Sequence, residues 1–159
     1  MRSLRLGGVF ALFFALVLAV VPLPNGIAPF RPSWVGVALL YWTLVAPESY
    51  GLLTAFLCGL ALDTLTGALL GQHALALVLI VYLAQRFYLQ LRAFPASQLA
   101  ATIAVLLGLY EFVLFWIDGV AGRSVPAVMR LWPIVSGTVL WFLVWSVFEG
   151  GRRDAPERL

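Results

Sequence analysis

The sequence is poor in charge and lacks residue types that several common sites require. Charged residues make up 11% of the chain, all ten basic residues are arginine, and lysine is absent. The arginines stand singly or in pairs between apolar blocks, which argues against a nucleic-acid-binding patch despite the net charge of +3. Cys58 is the only cysteine and His73 the only histidine, so one chain forms neither a disulfide nor a multi-thiolate or multi-histidine metal site.

What the sequence does contain is apolar, since 63% of its residues are hydrophobic and the mean hydropathy is +1.01. Such a composition identifies the lipid bilayer as the surroundings of the chain. Six apolar blocks predict an all-α integral membrane protein, a bundle of about six transmembrane helices. A span needs about 20 apolar residues, so the second block implies tilting, a partial span or shielding by its neighbours. The blocks cover roughly residues 6–23, 34–46, 52–70, 74–91, 99–117 and 128–148.

The distribution of arginine predicts the orientation in the membrane. With the N-terminus inside and six spans, seven arginines face the cytoplasm and three face outward. Because positively charged residues are enriched in cytoplasmic loops, we expect both termini in the cytoplasm. Residues 1–148 are predicted to form a single transmembrane helical domain, and residues 149–159 a short polar cytoplasmic tail without fixed structure.

Small or acidic residues recur at every fourth position through the third block. Residues four apart form one ridge of a helix, and small side chains there allow another helix to approach closely. Four residues overshoot one turn by about 40°, so a single partner helix cannot follow the whole ridge. We therefore expect the helix to break or to change partner near residues 64–67. The candidate helix-packing residues are Gly51, Ala55, Gly59, Gly67 and Gly71, with Asp63 among them.

Asp63 is an acid within an apolar block, and three interpretations are open. A charged aspartate at the centre of a bilayer costs roughly 2.5–3.5 kcal/mol, so it should lie near the interface, carry a proton or meet a partner. The favoured interpretation is a structural role that ties helix ends by hydrogen bonds. Contact with a protein partner and binding of a small ligand or proton are the alternatives. For His73 a local hydrogen bond or cap is favoured over a functional role.

Two further acids, Glu111 and Asp118, lie seven residues apart in the fifth block. Two helical turns separate them, so both can share one face, which would suit a general acid and base. About 10 Å of helix rise lies between them, however, and we favour a Glu111 that is hydrogen-bonded in the bundle or faces a partner. No serine stands in a GxSxG or SxxK setting, and no phosphate loop is present. The sequence thus predicts no enzyme and no cofactor.

A series of motifs stands in order through the first half of the chain: FRPSW at residues 30–34, Tyr41 and Trp42, Pro47, GLALD at residues 59–63, and Gly67 with LGQHAL at residues 70–75. On these residues, and more loosely from YEFVLFW at residues 110–116 to the basic tail, the chain closely resembles the MreD family of bacterial rod shape-determining proteins. The resemblance implies an inner-membrane subunit of the cell elongation machinery that works with MreC, the MreB filament, the polymerase RodA and its partner transpeptidase. It also implies a six-helix bundle resembling substrate-binding subunits of energy-coupling-factor transporters.

Two functions therefore compete, with an intramembrane enzyme a distant third. The first is a non-enzymatic scaffold that binds MreC, with Arg31, Asp63 and His73 as candidate polar contacts because of their location. The second is a small-molecule-binding membrane module or transporter subunit, which needs a polar pocket that faces outward. The polar residues available to line such a pocket are Asp63, Gln72, His73 and Glu111.

Overall fold

The computed structural model describes residues 2–22, 24, 30–123 and 126–153, and every regular element within these ranges is a helix. The predicted all-helical class is therefore confirmed. Six long helices follow the six apolar blocks, and one short α-helix and one 3-10 helix lie between them. In chain order they are α1 (Arg2–Val20), α2 (Trp34–Val45), α3 (Leu52–Thr66), α4 (Gln72–Arg86), α5 (Tyr88–Ala93), α6 (Ala96–Val120), the 3-10 helix Ala127–Arg130 and α7 (Leu131–Arg153).

Several helix ends differ from the apolar blocks that predicted them. Helix α3 ends at Thr66 because Gly67 adopts the left-handed conformation, with φ of 67°, and this is the break expected near residues 64–67. The fourth block is not one helix, since the backbone at Phe87 leaves the helical region (φ −105°, ψ 18°) and α5 begins after it. Helix α7 continues to Arg153, beyond the predicted start of the polar tail, and residues 154–159 lie outside the described ranges.

Helix α2 forms the centre of the bundle. It has 12 residues, and at 1.5 Å per residue it is shorter than the hydrocarbon core of a bilayer, about 30 Å. It contacts α1, α4, α6 and α7, and Leu39, Leu40 and Thr43 have no exposed surface. The short second block is thus shielded from lipid by its neighbours.

Helices α3 and α4 form an antiparallel hairpin with close backbone contact. A Cβ atom built on Gly59 would lie 2.2 Å from the Ala74 Cα, and one built on Gly51 would lie 3.1 Å from Nε2 of Gln85. Ala55, between these two glycines, is completely buried. Small residues on α3 therefore allow the two helices to approach at a distance that larger side chains would prevent.

The two longest apolar segments have the length and composition of membrane spans. They are Ala96–Val120 and Val128–Ser146, and three shorter apolar helices cover Leu6–Val20, Trp34–Val45 and Leu52–Thr66. Large apolar side chains on the outer faces of α1 and α7 are exposed, among them Phe10, Phe13, Val139 and Phe142. An apolar outer face is what a helical bundle presents to lipid.

Candidate functional site

Asp63 connects the end of α3 to the beginning of α4. Its carboxylate is buried and accepts hydrogen bonds from the backbone N–H groups of Gly71 and His73, each at 2.8 Å. The Nδ1 atom of His73 lies 2.7 Å from the same carboxylate. The N-cap position of α4 is Gly71, which has no side chain, so Asp63 supplies the capping oxygens from outside the helix.

The turn between these helices depends on two glycines. Gly67 ends α3 with φ of 67°, and Gly71 precedes α4 with φ of 94°, conformations that glycine adopts without steric cost. A Cβ atom on either would meet no atom within 4 Å. The turn thus requires glycine at these two positions for its backbone conformation, and their role in helix packing stays a prediction.

A second group of charges lies across the turn between α6 and α7. Arg130 reaches both acids of α6: one guanidinium nitrogen lies 3.3 Å from the Glu111 carboxylate, and the other donates to Asp118. Nε2 of Gln72 donates to the other oxygen of Asp118 at 2.9 Å. All three charged side chains are at most 14% exposed. Arg130 therefore lies between two carboxylates that would otherwise repel each other in a region of low polarity, and its single positive charge offsets part of their negative charge.

Arg31 lies just before α2, at the same end of the bundle, and contacts the end of α1 there. Its Nη2 atom donates to the carbonyl oxygens of Leu18, at 2.8 Å, and of Val21. These carbonyls belong to the last turn of α1 and the residue after it, where an arginine satisfies groups that have no partner within the helix. Next to Arg31, the ring of Phe30 packs on that of Trp132 with centroids 4.5 Å apart.

These contacts define what we call the polar end of the bundle, where α1, α3 and α6 terminate and α2, α4 and α7 begin. It contains the polar residues that the sequence offered for partner contact or for a pocket, together with Asp118 and Arg130. A cavity of about 170 Å³ opens there, and three of the candidates line it. The residues of the polar end are Arg31, Asp63, Gln72, His73, Glu111, Asp118 and Arg130.

The residue that sequence reasoning missed is Arg130, which the positive-inside argument treated only as an outward-facing charge. Two acids in the preceding block were the available signal, because a buried carboxylate usually has a basic partner. Arg130 lies 19 residues from Glu111 and 12 from Asp118. Such separations carry no contact information until the α6–α7 turn is known.

The polar end is built to hold helices together. Both acids of α6 contact the same guanidinium, that of Arg130. Within the described part of the chain, no three or more His, Cys, Asp or Glu side chains are grouped so that they could hold a metal ion. Hydrogen bonds and ion pairs link α1 to the segment before α2, α3 to α4, α4 to α6, and α6 to Arg130.

Comparison with known proteins gives a consistent family result. The sequence model of the family described as rod shape-determining protein MreD matches residues 2–149. The rod shape-determining protein MreD of Haemophilus influenzae strain Rd is 28% identical over 131 residues, which cover 82% of this chain and 78% of that protein. No solved structure matches the chain significantly.

Proposed function

The chain belongs to the MreD family of rod shape-determining proteins, and on this premise we propose that it is a non-enzymatic subunit of the bacterial cell elongation complex. In this proposal it spans the inner membrane as one six-helix domain with both termini in the cytoplasm. It binds MreC directly and so helps to couple MreB filaments to peptidoglycan synthesis by RodA and its partner transpeptidase. A likeness to energy-coupling-factor subunits stays a prediction of the earlier resemblance.

The observation that carries this proposal is the use of the polar side chains at the polar end. Asp63 is committed to the α3–α4 turn, Arg130 to both acids of α6, and Arg31 to the end of α1. Because these polar groups make contacts within the bundle, they hold the helix ends in a fixed arrangement. A scaffold needs such a fixed surface to bind its partner. In this proposal, Arg31, Asp63 and His73 contribute to the partner surface by fixing the positions of the helix ends that form it.

The turns between the helices are short, which favours a partner that binds on the surface of the bundle itself. The α3–α4 connection consists of residues 67–71, and α6 and α7 are joined through residues 121–130. Neither has room for a catalytic domain of its own. The exposed apolar faces of α1 and α7 supply surfaces against which a transmembrane helix of MreC can pack.

We expect Asp63→Leu to abolish recovery of MreC with the tagged chain from mild detergent. The substitution leaves the N–H groups of Gly71 and His73 without their acceptor, at about 1–3 kcal/mol for each unsatisfied group. The α3–α4 turn should then lose its shape. The measurement is affinity purification followed by quantification of MreC.

Two controls separate loss of the partner surface from loss of the fold. Asp63→Asn keeps one acceptor oxygen at the same place and should retain part of the recovery. Gly119→Ala adds a methyl group where no atom lies within 4 Å, so it should behave as wild type. Full MreC recovery with Asp63→Leu, in a chain that elutes as a single species, would remove Asp63 from the proposed partner surface.

A further inference from the structure

A groove of about 600 Å³ runs along the outside of the bundle between α1 and α3. Three of its apolar side chains are largely exposed, Val9 at 59%, Phe13 at 66% and Leu57 at 57%, so the groove opens outward, toward lipid. One end of the groove lies at the α2–α3 turn, opposite to the polar end of the bundle. There α1 packs directly on Tyr50, because a Cβ atom on Gly8 would clash with the Tyr50 hydroxyl oxygen.

Three polar side chains line the groove at this turn, namely Glu48, Ser49 and Thr54. Glu48 is exposed, whereas Ser49 and Thr54 are partly buried. Within the described ranges, none of the three side chains forms a hydrogen bond or an ion pair. Glu48 is the one charged residue among the described residues of the groove, so this end of an otherwise apolar groove is negatively charged.

Thr54 differs from the five other threonines of the chain. The hydroxyl groups of those five donate to backbone carbonyl oxygens, a common way for a threonine in a helix to satisfy its hydroxyl. The carbonyl oxygen of Tyr50, four residues before Thr54, accepts instead from Thr43, at 3.3 Å. The Thr54 hydroxyl therefore lines the groove with its hydrogen-bonding capacity unused.

We propose that this groove binds a phospholipid with an ethanolamine headgroup. The primary ammonium of that headgroup has three N–H donors, and Glu48, Ser49 and Thr54 each offer an acceptor oxygen. The hydrogen bond to the carboxylate is charge-assisted and therefore the strongest of the three. One acyl chain of the lipid lies along the apolar side chains of α1 and α3. A choline headgroup has no N–H to donate, and phosphatidylglycerol brings a net negative charge toward Glu48, so both should bind more weakly.

The size of the groove favours a lipid over a transmembrane helix. From Val9 to Leu16, the residues of α1 that line the groove rise about 10 Å, a third of the hydrocarbon core of about 30 Å. A spanning helix packs along a longer face than this. The volume of the groove lies instead within the range of about 300–1,000 Å³ that is typical of small-molecule sites. Turns between spans lie at the membrane surface, which places Glu48 at the level of the lipid headgroups.

Cys58 makes a test specific for this groove, because it lines the groove and is the only cysteine of the chain. The full chain, purified without any partner and washed free of lipid in an uncharged detergent, is treated with methyl methanethiosulfonate. The mass of the intact protein then reports how fast Cys58 is modified. Dioleoyl phosphatidylethanolamine, phosphatidylcholine and phosphatidylglycerol are the three probes. We expect the ethanolamine lipid to slow the modification saturably and at the lowest concentration, although a net charge of +3 alone would favour the anionic lipid.

Two variants test the polar side chains, and a third is the matched control. Glu48→Gln keeps the shape of the side chain and should raise the protecting concentration of the ethanolamine lipid about tenfold, as expected for loss of a charge-assisted hydrogen bond. Thr54→Val removes one hydroxyl and should raise it about two- to tenfold. Thr102→Val removes a hydroxyl that donates to the Gln98 carbonyl, outside the groove, and should leave it unchanged.

Selective protection by the ethanolamine lipid that is lost in Glu48→Gln and kept in Thr102→Val supports the proposal. Absence of protection, equal protection by the three headgroups, or unchanged selectivity in Glu48→Gln would overturn it. Protection of Cys58 by co-purified MreC but by none of the lipids would also overturn it and would assign the groove to a helix. Because the lipid titration contains no partner, its result does not depend on the proposed binding of MreC.

Discussion

Arg130→Leu is expected to destabilise the bundle by about 3–5 kcal/mol, the cost typical of removing one member of a buried ion pair. The reason is that Glu111 and Asp118 would remain buried near each other without their shared guanidinium. The Gln72 amide would still donate to Asp118, but a neutral donor does not offset two negative charges. The α6–α7 turn should therefore open, and the chain should unfold at a lower temperature.

Thermal unfolding in detergent, followed by size-exclusion chromatography of the heated samples, measures this effect. Arg130→Lys keeps the charge but cannot contact both carboxylates with a fork of donors, so it should fall between wild type and Arg130→Leu. The variant that combines Arg130→Leu with Glu111→Gln and Asp118→Asn has no uncompensated charge and should recover most of the loss. An unfolding temperature of Arg130→Leu equal to that of wild type would contradict the account of the polar end.

Gly59→Leu is expected to prevent the α3–α4 hairpin from forming. A Cβ atom at this position would lie 2.2 Å from the Cα and 2.5 Å from the N of Ala74, and both are backbone atoms. Overpacking a core usually costs about 1–3 kcal/mol because side chains can shift, but here only the separation of two helices relieves the contact. We therefore expect a cost above this range and little recovery of a monodisperse protein.

Even the smaller Gly59→Ala should show the effect, since the contact involves Cβ itself. Adding Ala74→Gly to it should not restore stability, because the backbone of residue 74 remains in place. Gly108→Ala is the matched control, as its Cβ would have Ile134 Cδ1 at 3.9 Å as its neighbour. Recovery of Gly59→Leu at wild-type level in fluorescence-detected chromatography would show that the hairpin is not closed as described.

The part of the fold that follows from apolar blocks could be predicted from the sequence. Block length and proline breaks located the helices, and the short second block corresponds to the shielded α2. The break after Asp63 was predictable because a ridge of period four cannot stay against one neighbour, although its mechanism, positive φ at Gly67, was not foreseen. The end of α4 at Arg86 carried no proline or glycine signal.

The candidate site could be predicted in part. Polar residues within apolar blocks are costly and therefore conspicuous, so Asp63 and Glu111 were selected on physical grounds. The partners of the two α6 acids were not predictable, because the contacts of Arg130 with Glu111 and Asp118 and the donation from Gln72 to Asp118 depend on how helices are arranged in space. The left-handed conformations of Gly67 and Gly71 were not foreseen, since small residues serve both close helix packing and left-handed turns, and spacing alone does not distinguish the two.

The central claim, direct binding of MreC, is tested most directly by producing the two proteins together without any other elongation component. The affinity-purified sample is analysed by size-exclusion chromatography with light scattering. The account predicts that both proteins elute in one complex of defined mass. Elution of the monodisperse chain without MreC, with MreC present and folded in the same membranes, would contradict it.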